Sequence, residues 1–186
     1  MEAFELWCGE RFCSNGIDFP LVWEITLVSF LLNVQSSKFN TSSISDEMKL
    51  EIESGVNFIS HVLRLGSERK ISERKLKQFS KCLYQILLKR YEEFWYPERP
   101  YKYSGYRILR INRNIDPMIR LAGEWCELSL KLLDESLPNL EIWIDPSEVT
   151  CRFGSDSELM LLYKPGDNEP WRPQTLEKQF CTCCLL

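Results

Sequence analysis

A run of short apolar segments in the last third of the chain decides the fold class. Residues 137 to 163 read LPNLEIWIDPSEVTCRFGSDSELMLLY. Turn-forming residues interrupt this run at Asp145-Pro146 and again at Gly154-Ser155-Asp156. Short apolar runs bounded by such turns are typical of β-strands. The stretch therefore predicts three strands, over residues 140–144, 149–153 and 159–163.

Alternation within the first of these strands assigns its side chains to two faces. Leu140 and Ile142 share one face, because successive residues of a strand point to opposite sides. Glu141 and Trp143 share the other face. If the glutamate is solvated, the tryptophan is exposed beside it, and an exposed tryptophan on a strand suggests a binding patch.

Two long helices are predicted upstream of the strands. The first is expected from Asp46 to Gly66, since glycine is a C-terminal stop that tolerates a positive φ angle. The second begins at the N-cap Ser72 and must end before Pro97, which lacks an amide donor. Each helix carries an apolar stripe at helical spacing: Ile52, Val56, Ile59 and Leu63, then Leu76, Phe79, Leu83 and Ile86. The stripes are expected to bury each other in a helical hairpin.

Shorter elements connect the hairpin to the strands. Residues 107 to 112 read RILRIN, which predicts a strand whose arginines keep one edge in water. Asp116-Pro117 predicts a helix start, with aspartate as the N-cap, for a helix ending at Trp125. A further helix is expected over 128–137. Helices followed by a small, mainly antiparallel sheet on which they pack predict an α+β fold.

The chain divides by composition into three parts. We interpret residues 1–45 as a partly disordered N-terminal extension and linker, because residues 36–45 read SSKFNTSSIS. The predicted domain spans residues 46–164, and residues 165–186 form an irregular cysteine-rich tail. The apolar segment 19–34 is interrupted by Pro20 and Glu24, so it fits neither a signal peptide nor a membrane-spanning helix.

The charge of the chain limits its direct partners. The 186 residues carry a net charge of −4, so the broad positive field that non-specific nucleic-acid binding needs is not expected. We expect no direct nucleic-acid contact and any approach to RNA to run through a partner protein. Basic residues do crowd the hairpin, and a solvated helix face is preferred there over a nucleic-acid patch: Arg64, Arg69, Lys70, Arg74, Lys75, Lys77 and Lys81.

No pattern in the sequence indicates catalysis. His61 is the sole histidine and the eight cysteines form no regular framework, so we expect neither a histidine-containing metal site nor a cofactor. Asp145 and Glu148 are interpreted as turn formers rather than an acid–base pair. The C-terminal Cys183-Cys184-Leu185-Leu186 fits a prenylation box, which makes Cys183 a candidate for lipidation. A cysteine-rich tail without any lipid is the alternative.

Aromatic residues are unusually dense between positions 91 and 106. Tyrosine and tryptophan are favoured at protein interfaces because each joins a large apolar face to a polar tip. Trp95 and Tyr96 are interpreted as caps of the hairpin core. For Tyr106 and Trp143 the residue pattern alone leaves core and interface about equally open. The segment contains Tyr91, Phe94, Trp95, Tyr96, Tyr101, Tyr103 and Tyr106.

Two segments resemble the signature boxes of the BTG/Tob antiproliferative family. The first is YEEFWYPERPYKYSGYRILRIN, residues 91–112, and the second is LPNLEIWIDPSEVTCRFG, residues 137–154. The resemblance runs from about residue 46 to residue 164. It implies a compact α+β domain, without catalysis of its own, that works as an adaptor.

The resemblance also implies a partner and the residues that bind it. The surface formed by the boxes would bind the DEDD-class poly(A) nuclease of the Not-type deadenylase complex, promote mRNA deadenylation and slow proliferation. Tyr106 and Trp143 match the residues of the family that contact the nuclease, and Asp145 is a secondary candidate. Some members also co-regulate transcription, so contacts with transcription factors and residence in both cytoplasm and nucleus are expected. A monomeric state is expected as well.

Departures from the family pattern leave two other readings open. Tyr103 stands where the family commonly has glycine, and segment 138–143 is one residue short. The chain could therefore be a diverged relative that folds without binding the nuclease. A lipid-anchored interaction module that uses Cys183 is the other alternative.

Overall fold

The computed structural model describes residues 46–68, 70–164 and 166–173, and it confirms the predicted α+β fold. Within these ranges the chain forms four α-helices, one short 3-10 turn and four strands. The helices are α1 (Asp46–Gly66), α2 (Glu73–Tyr91), α3 (Pro117–Trp125) and α4 (Leu130–Ser136), and the turn is Ser104–Tyr106. The strands are β1 (Ile108–Ile111), β2 (Leu140–Asp145), β3 (Glu148–Phe153) and β4 (Met160–Tyr163).

Side-chain caps begin three of the helices. The Ser72 hydroxyl accepts from the Lys75 amide at 3.4 Å, which confirms the predicted start of α2. Asp116 caps α3 by accepting from the amide of Met118 at 2.8 Å. The hydroxyl of Ser129 caps α4 in the same way, so this helix begins after residue 129 and is shorter than the 128–137 expected. Each cap satisfies an amide that lacks an intrahelical partner.

Gly66 ends α1 as predicted, but for a different reason. The positive φ angle expected at this glycine is found at Glu68, where φ is 50°. Gly66 is instead a point of close approach, since a Cβ there would lie 1.9 Å from the backbone oxygen of Ser136. The end of α1 and the end of α4 therefore meet in backbone contact, which any larger residue would disrupt.

The four strands form one antiparallel sheet in the order β1-β2-β3-β4. Helix α1 packs against one of its faces, and a Cβ on Gly55 would come within 2.5 Å of Ile144 Cδ1. The two hairpin helices also pack on each other, as their apolar stripes predict. Side chains of the covered face are fully buried: Leu109, Ile111, Leu140, Ile142, Ile144, Val149 and Cys151.

The segment after β4 also belongs to the packed core. Trp171 is only 4% exposed, and its ring lies edge-on to Phe58 of α1 with the centroids 5.1 Å apart. Its amide donates to Ser54 Oγ at 2.9 Å, and its carbonyl accepts from Asn57 at 3.1 Å. Packing therefore continues beyond residue 164, the end of the domain predicted from the sequence.

The described cysteines are buried or half-buried thiols. Cys82, Cys126 and Cys151 are free, and burial raises the pKa of both Cys126 and Cys151 to about 12, so these two remain protonated at neutral pH. Across residues 46–68, 70–164 and 166–173, no group of three or more His, Cys, Asp or Glu side chains is arranged to hold a metal ion. No helix in the same ranges is long and apolar enough to span a membrane. The apolar segment 19–34 and Cys183 lie outside the described residues.

Candidate functional site

The second face of the sheet carries Trp143. Cross-strand neighbours share a face, and Trp143 lies opposite Ile108 on β1 and Thr150 on β3, which is in turn opposite Leu161 on β4. Leu161 is 44% exposed. A mixed apolar row therefore crosses all four strands on the face that α1 leaves uncovered.

Charged side chains partly cover Trp143. Glu141, on the same face, pairs with Arg110 of β1 at 3.3 Å and also with Arg152 of β3. The Arg152 guanidinium lies over the indole ring of Trp143, 5.4 Å from its centroid. The alternation therefore assigned the correct face to Trp143, but the ring is half-buried rather than fully exposed. A cation stacked on an indole still leaves the rest of the ring for a partner.

Tyr106 belongs to an aromatic cluster that consists of Phe94, Tyr103 and Tyr106. The rings of Phe94 and Tyr106 are stacked, with centroids 4.9 Å apart and planes within 3° of parallel. Tyr103 meets both of these rings edge-on at 5.9 Å. Tyr103 and Tyr106 remain 40% and 37% exposed. The cluster thus presents two tyrosine rings to solvent and holds them in fixed orientations.

Tyr103 adopts a backbone conformation that favours glycine. Its φ is 60° and its ψ is 23°, in the left-handed region, immediately before the 3-10 turn. A non-glycine residue there costs roughly 1 kcal/mol or more. The Lys102 ammonium lies 4.9 Å from the centroid of the Tyr103 ring and 3.9 Å from that of Tyr96. The conformation is one that glycine, the residue expected at this position from the family resemblance, adopts without strain.

Arg107 holds the loop of the aromatic cluster in place. Its side chain is fully buried, so the prediction that both arginines of RILRIN are solvated is wrong for this one. Its guanidinium donates to three backbone carbonyls of the preceding loop, at 2.5 to 2.9 Å: those of Phe94, Pro100 and Lys102. A buried cation must satisfy its donors, and these carbonyls together with Asp145 do so.

Asp145 is the anionic partner of Arg107. Its Oδ1 accepts from the guanidinium Nε at 3.0 Å and Nη2 at 2.7 Å, and its Oδ2 accepts from the hydroxyl of Ser104 at 2.6 Å. The residue is only 7% exposed. Asp145 therefore anchors the loop to the end of β2, and its burial gives no support to the predicted direct contact with a partner.

These anchors bring the two predicted contact residues to the same end of the β1–β2 pair. The carbonyl of Arg107 accepts from the amide of Ile144 at 3.3 Å. Tyr106 therefore lies just before Ile108, the residue opposite Trp143. Both rings remain at least partly accessible. The charged side chains that hold the loop against β2, Arg107 and Asp145, are buried. We use the name docking surface for Tyr103, Tyr106 and Trp143.

Two contributors to this site were missed in the sequence. Phe94 supports Tyr106 by stacking, and Arg107 orders the loop. The sequence did contain a signal for Arg107. This arginine directly follows Tyr106 in the first box, and Asp145 comes two positions after Trp143 in the second box. A pair of opposite charges next to two predicted contact residues indicates a shared scaffold.

Comparisons with known proteins agree on one family. The model of the BTG family matches residues 48–163. Human Protein BTG1 is 43% identical over 115 residues, covering 61% of this chain and 66% of BTG1. Human Protein BTG2 is 40% identical over 119 residues, covering 63% of this chain and 74% of BTG2, and human Protein Tob1 is 37% identical over 123 residues, covering 66% and 34%.

A solved structure supports the fold independently. The BTG/Tob domain of C. elegans FOG-3 superimposes with a TM-score of 0.55 at 20% identity, covering 62% of this chain and 90% of that domain. The match to BTG1 reaches about two thirds of that relative's length. Since the family model spans well over half of the chain and contains both halves of the docking surface, the chain belongs to the BTG family.

Proposed function

We propose that this protein is an antiproliferative adaptor that binds the DEDD-class poly(A) nuclease of the Not-type deadenylase complex and promotes mRNA deadenylation. The observation that carries the proposal is the docking surface, where the exposed Tyr106 and the half-buried Trp143 lie at the same end of one strand pair. The proposed setting is the cytoplasm and the nucleus, with transcription factors as further partners. The chain itself would contribute binding and no catalysis.

The construction of the docking surface suits a protein partner. Binding energy at protein interfaces is concentrated in a few aromatic and arginine side chains. Here the stack of Phe94 on Tyr106 and the buried pair of Arg107 with Asp145 fix the rings before any partner arrives. A surface that is already ordered loses less conformational entropy on binding. Family membership supports the choice of the deadenylase as the partner.

The decisive experiment measures binding of the full chain to purified deadenylase catalytic subunit by calorimetry. We expect Trp143→Ala to weaken binding by about 30-fold or more, the range of an interface hot spot. Leu130→Ala is the matched control, because it removes a 43% exposed apolar side chain from α4, away from the docking surface. Its affinity should equal that of the unchanged protein.

One result would count against this function, and another against the docking surface as its site. If the unchanged chain does not bind the catalytic subunit, the diverged-relative reading is correct, and Tyr103→Gly then tests whether the tyrosine blocks the surface. If Trp143→Ala binds as well as Leu130→Ala, the nuclease uses another surface. Cooperative thermal melting of each variant shows that lost binding does not come from lost folding.

A further inference from the structure

Positive charge is concentrated on α2. This helix has six basic side chains and one acidic side chain, although the whole chain has a net charge of −4. Arg74, Lys77 and Lys81 are exposed and follow one another at spacings of three and four residues. They therefore form one stripe along about 10 Å of helix. We name these three residues the cationic stripe.

The charges of this stripe are not neutralised by neighbouring side chains. Some exposed basic residues elsewhere on the described surface pair with carboxylates, as Arg120 does with Glu124 and Lys131 with Glu135. In residues 46–68, 70–164 and 166–173, no ion pair involves a member of the cationic stripe. An array of unpaired cations on a rigid helix attracts an extended anion.

The surroundings of the stripe include a groove and, at the end of a neighbouring helix, an exposed aromatic ring. A shallow groove of about 480 Å³ runs along the stripe, and Glu73 and Gln78 complete its lining. Lys75 donates to the carbonyl of Glu127 at 3.2 Å and pairs with its carboxylate at 3.5 Å. This contact brings the C-terminal end of α3 beside the first turn of α2. Trp125, 39% exposed, is at that end.

We propose that the cationic stripe binds the phosphate backbone of single-stranded RNA and that the indole of Trp125 stacks on one of its bases. Lysine and arginine along a line neutralise consecutive phosphates, and an exposed aromatic ring gives a sequence-tolerant platform for a base. No direct nucleic-acid contact was expected from the net charge of the chain. The net charge is a sum over the whole chain, however, and α2 taken alone is strongly positive. The inference goes beyond the proposed function and does not depend on it.

The test measures fluorescence anisotropy of a labelled oligoadenylate of about 20 nucleotides with the full chain, at salt concentrations from about 50 to 200 mM. The test variant is Arg74→Ala/Lys77→Ala/Lys81→Ala. It should weaken binding at least tenfold and flatten the plot of log affinity against log salt by about 2, since each phosphate contact on a single strand contributes about 0.7. Trp125→Ala should weaken binding several-fold without changing the slope.

A matched control removes the same charge elsewhere. Arg120→Ala/Lys131→Ala/Arg172→Ala takes away three exposed cations that already have carboxylate partners: Glu124, Glu135 and Glu169. Its affinity should stay within about twofold of the unchanged chain and its salt slope should not change. If the stripe variant melts early, Lys77→Ala alone should flatten the slope by about 0.7.

Three outcomes would overturn the inference. The first is that the unchanged chain does not bind the oligoadenylate at physiological salt. The second is an equal loss of affinity in both triple variants, which would indicate net charge alone. The third is stripe-dependent binding of polyglutamate or phosphatidylserine vesicles that is as tight as RNA binding, which would assign the stripe to an acidic protein or a membrane surface.

Discussion

At the scale of single residues, the docking surface depends on a buried charge pair. The Arg107 guanidinium donates hydrogen bonds to Asp145 and to three loop carbonyls. Arg107→Met therefore leaves one buried carboxylate and three carbonyls without this donor. We expect it to lower the free energy of unfolding by about 3 kcal/mol or more. The double variant Arg107→Met/Asp145→Leu should recover only part of this loss, because the carbonyls remain unsatisfied.

Urea unfolding of the full chain measures this cost. Arg110→Met is the control, since Arg110 is more than half exposed and its pair with Glu141 lies at the surface. A cost for Arg107→Met no larger than that of the control would show that the loop does not need the guanidinium. Full recovery in the double variant would show that the charge pair, and not the carbonyls, dominates.

A second residue-scale prediction concerns pH. Burial raises the pKa of Asp116 from its usual value to about 6, while its backbone hydrogen bonds oppose this increase. The folded state therefore binds the proton more tightly than the unfolded state, and stability from this group rises as pH falls from about 6 towards 4. Asp116→Asn keeps an N-cap residue and removes the titration.

The measurement is the difference in unfolding free energy between the unchanged chain and Asp116→Asn, from urea titrations at pH 7.5, 6 and 4.5. The unchanged chain should gain stability relative to the variant as the pH decreases. Other titrating groups are common to both proteins and cancel in the difference. Parallel pH profiles would show that Asp116 titrates near its ordinary pKa in the folded protein.

At the scale of elements, local signals predicted most of the fold and distant contacts explain the rest. The caps Ser72 and Asp116 act within three residues of themselves, so the sequence alone was enough to place the starts of α2 and α3. The burial of Arg107 depends on Asp145, 38 positions away. A strand pattern contains no information about such a partner, so periodicity predicted a solvated arginine.

The contact between α1 and α4 gives an element-scale prediction. A Cβ on Gly66 would lie 1.9 Å from the Ser136 carbonyl oxygen, and a backbone atom cannot move aside as a side chain does. We expect Gly66→Ala to cost about 2 to 4 kcal/mol of stability, although alanine is the better helix former. Gly105→Ala is the control, because no atom lies within 4 Å of its Cβ position.

Denaturant unfolding of both alanine variants checks the steric argument. Gly105→Ala should unfold within about 0.5 kcal/mol of the unchanged chain. Equal stability of the two variants would mean that α4 can shift away from α1 at little cost. In that case Gly66 would help to end α1, but the packing of α1 against α4 would not require a glycine there.

At the scale of the whole molecule, the docking surface and the segment after β4 are on different parts of one packed unit. Trp171 covers α1 through Phe58 and exchanges hydrogen bonds with Ser54 and Asn57, more than 110 positions earlier in the chain. Helix α1 in turn packs under β2, which carries Trp143. The stability of the docking surface therefore includes a contribution from residues outside both signature boxes.

Trp171→Ala separates stability from binding. Loss of a buried tryptophan should cost about 3 to 5 kcal/mol in urea unfolding, because the ring leaves a cavity against α1. Binding to the deadenylase subunit, measured well below the melting temperature, should remain within about twofold, since no atom of the docking surface changes. If the variant is as stable as the unchanged chain, the segment 166–173 lies against the domain without stabilising it. If the variant is folded but no longer binds, the loss of packing on α1 has altered the position of β2.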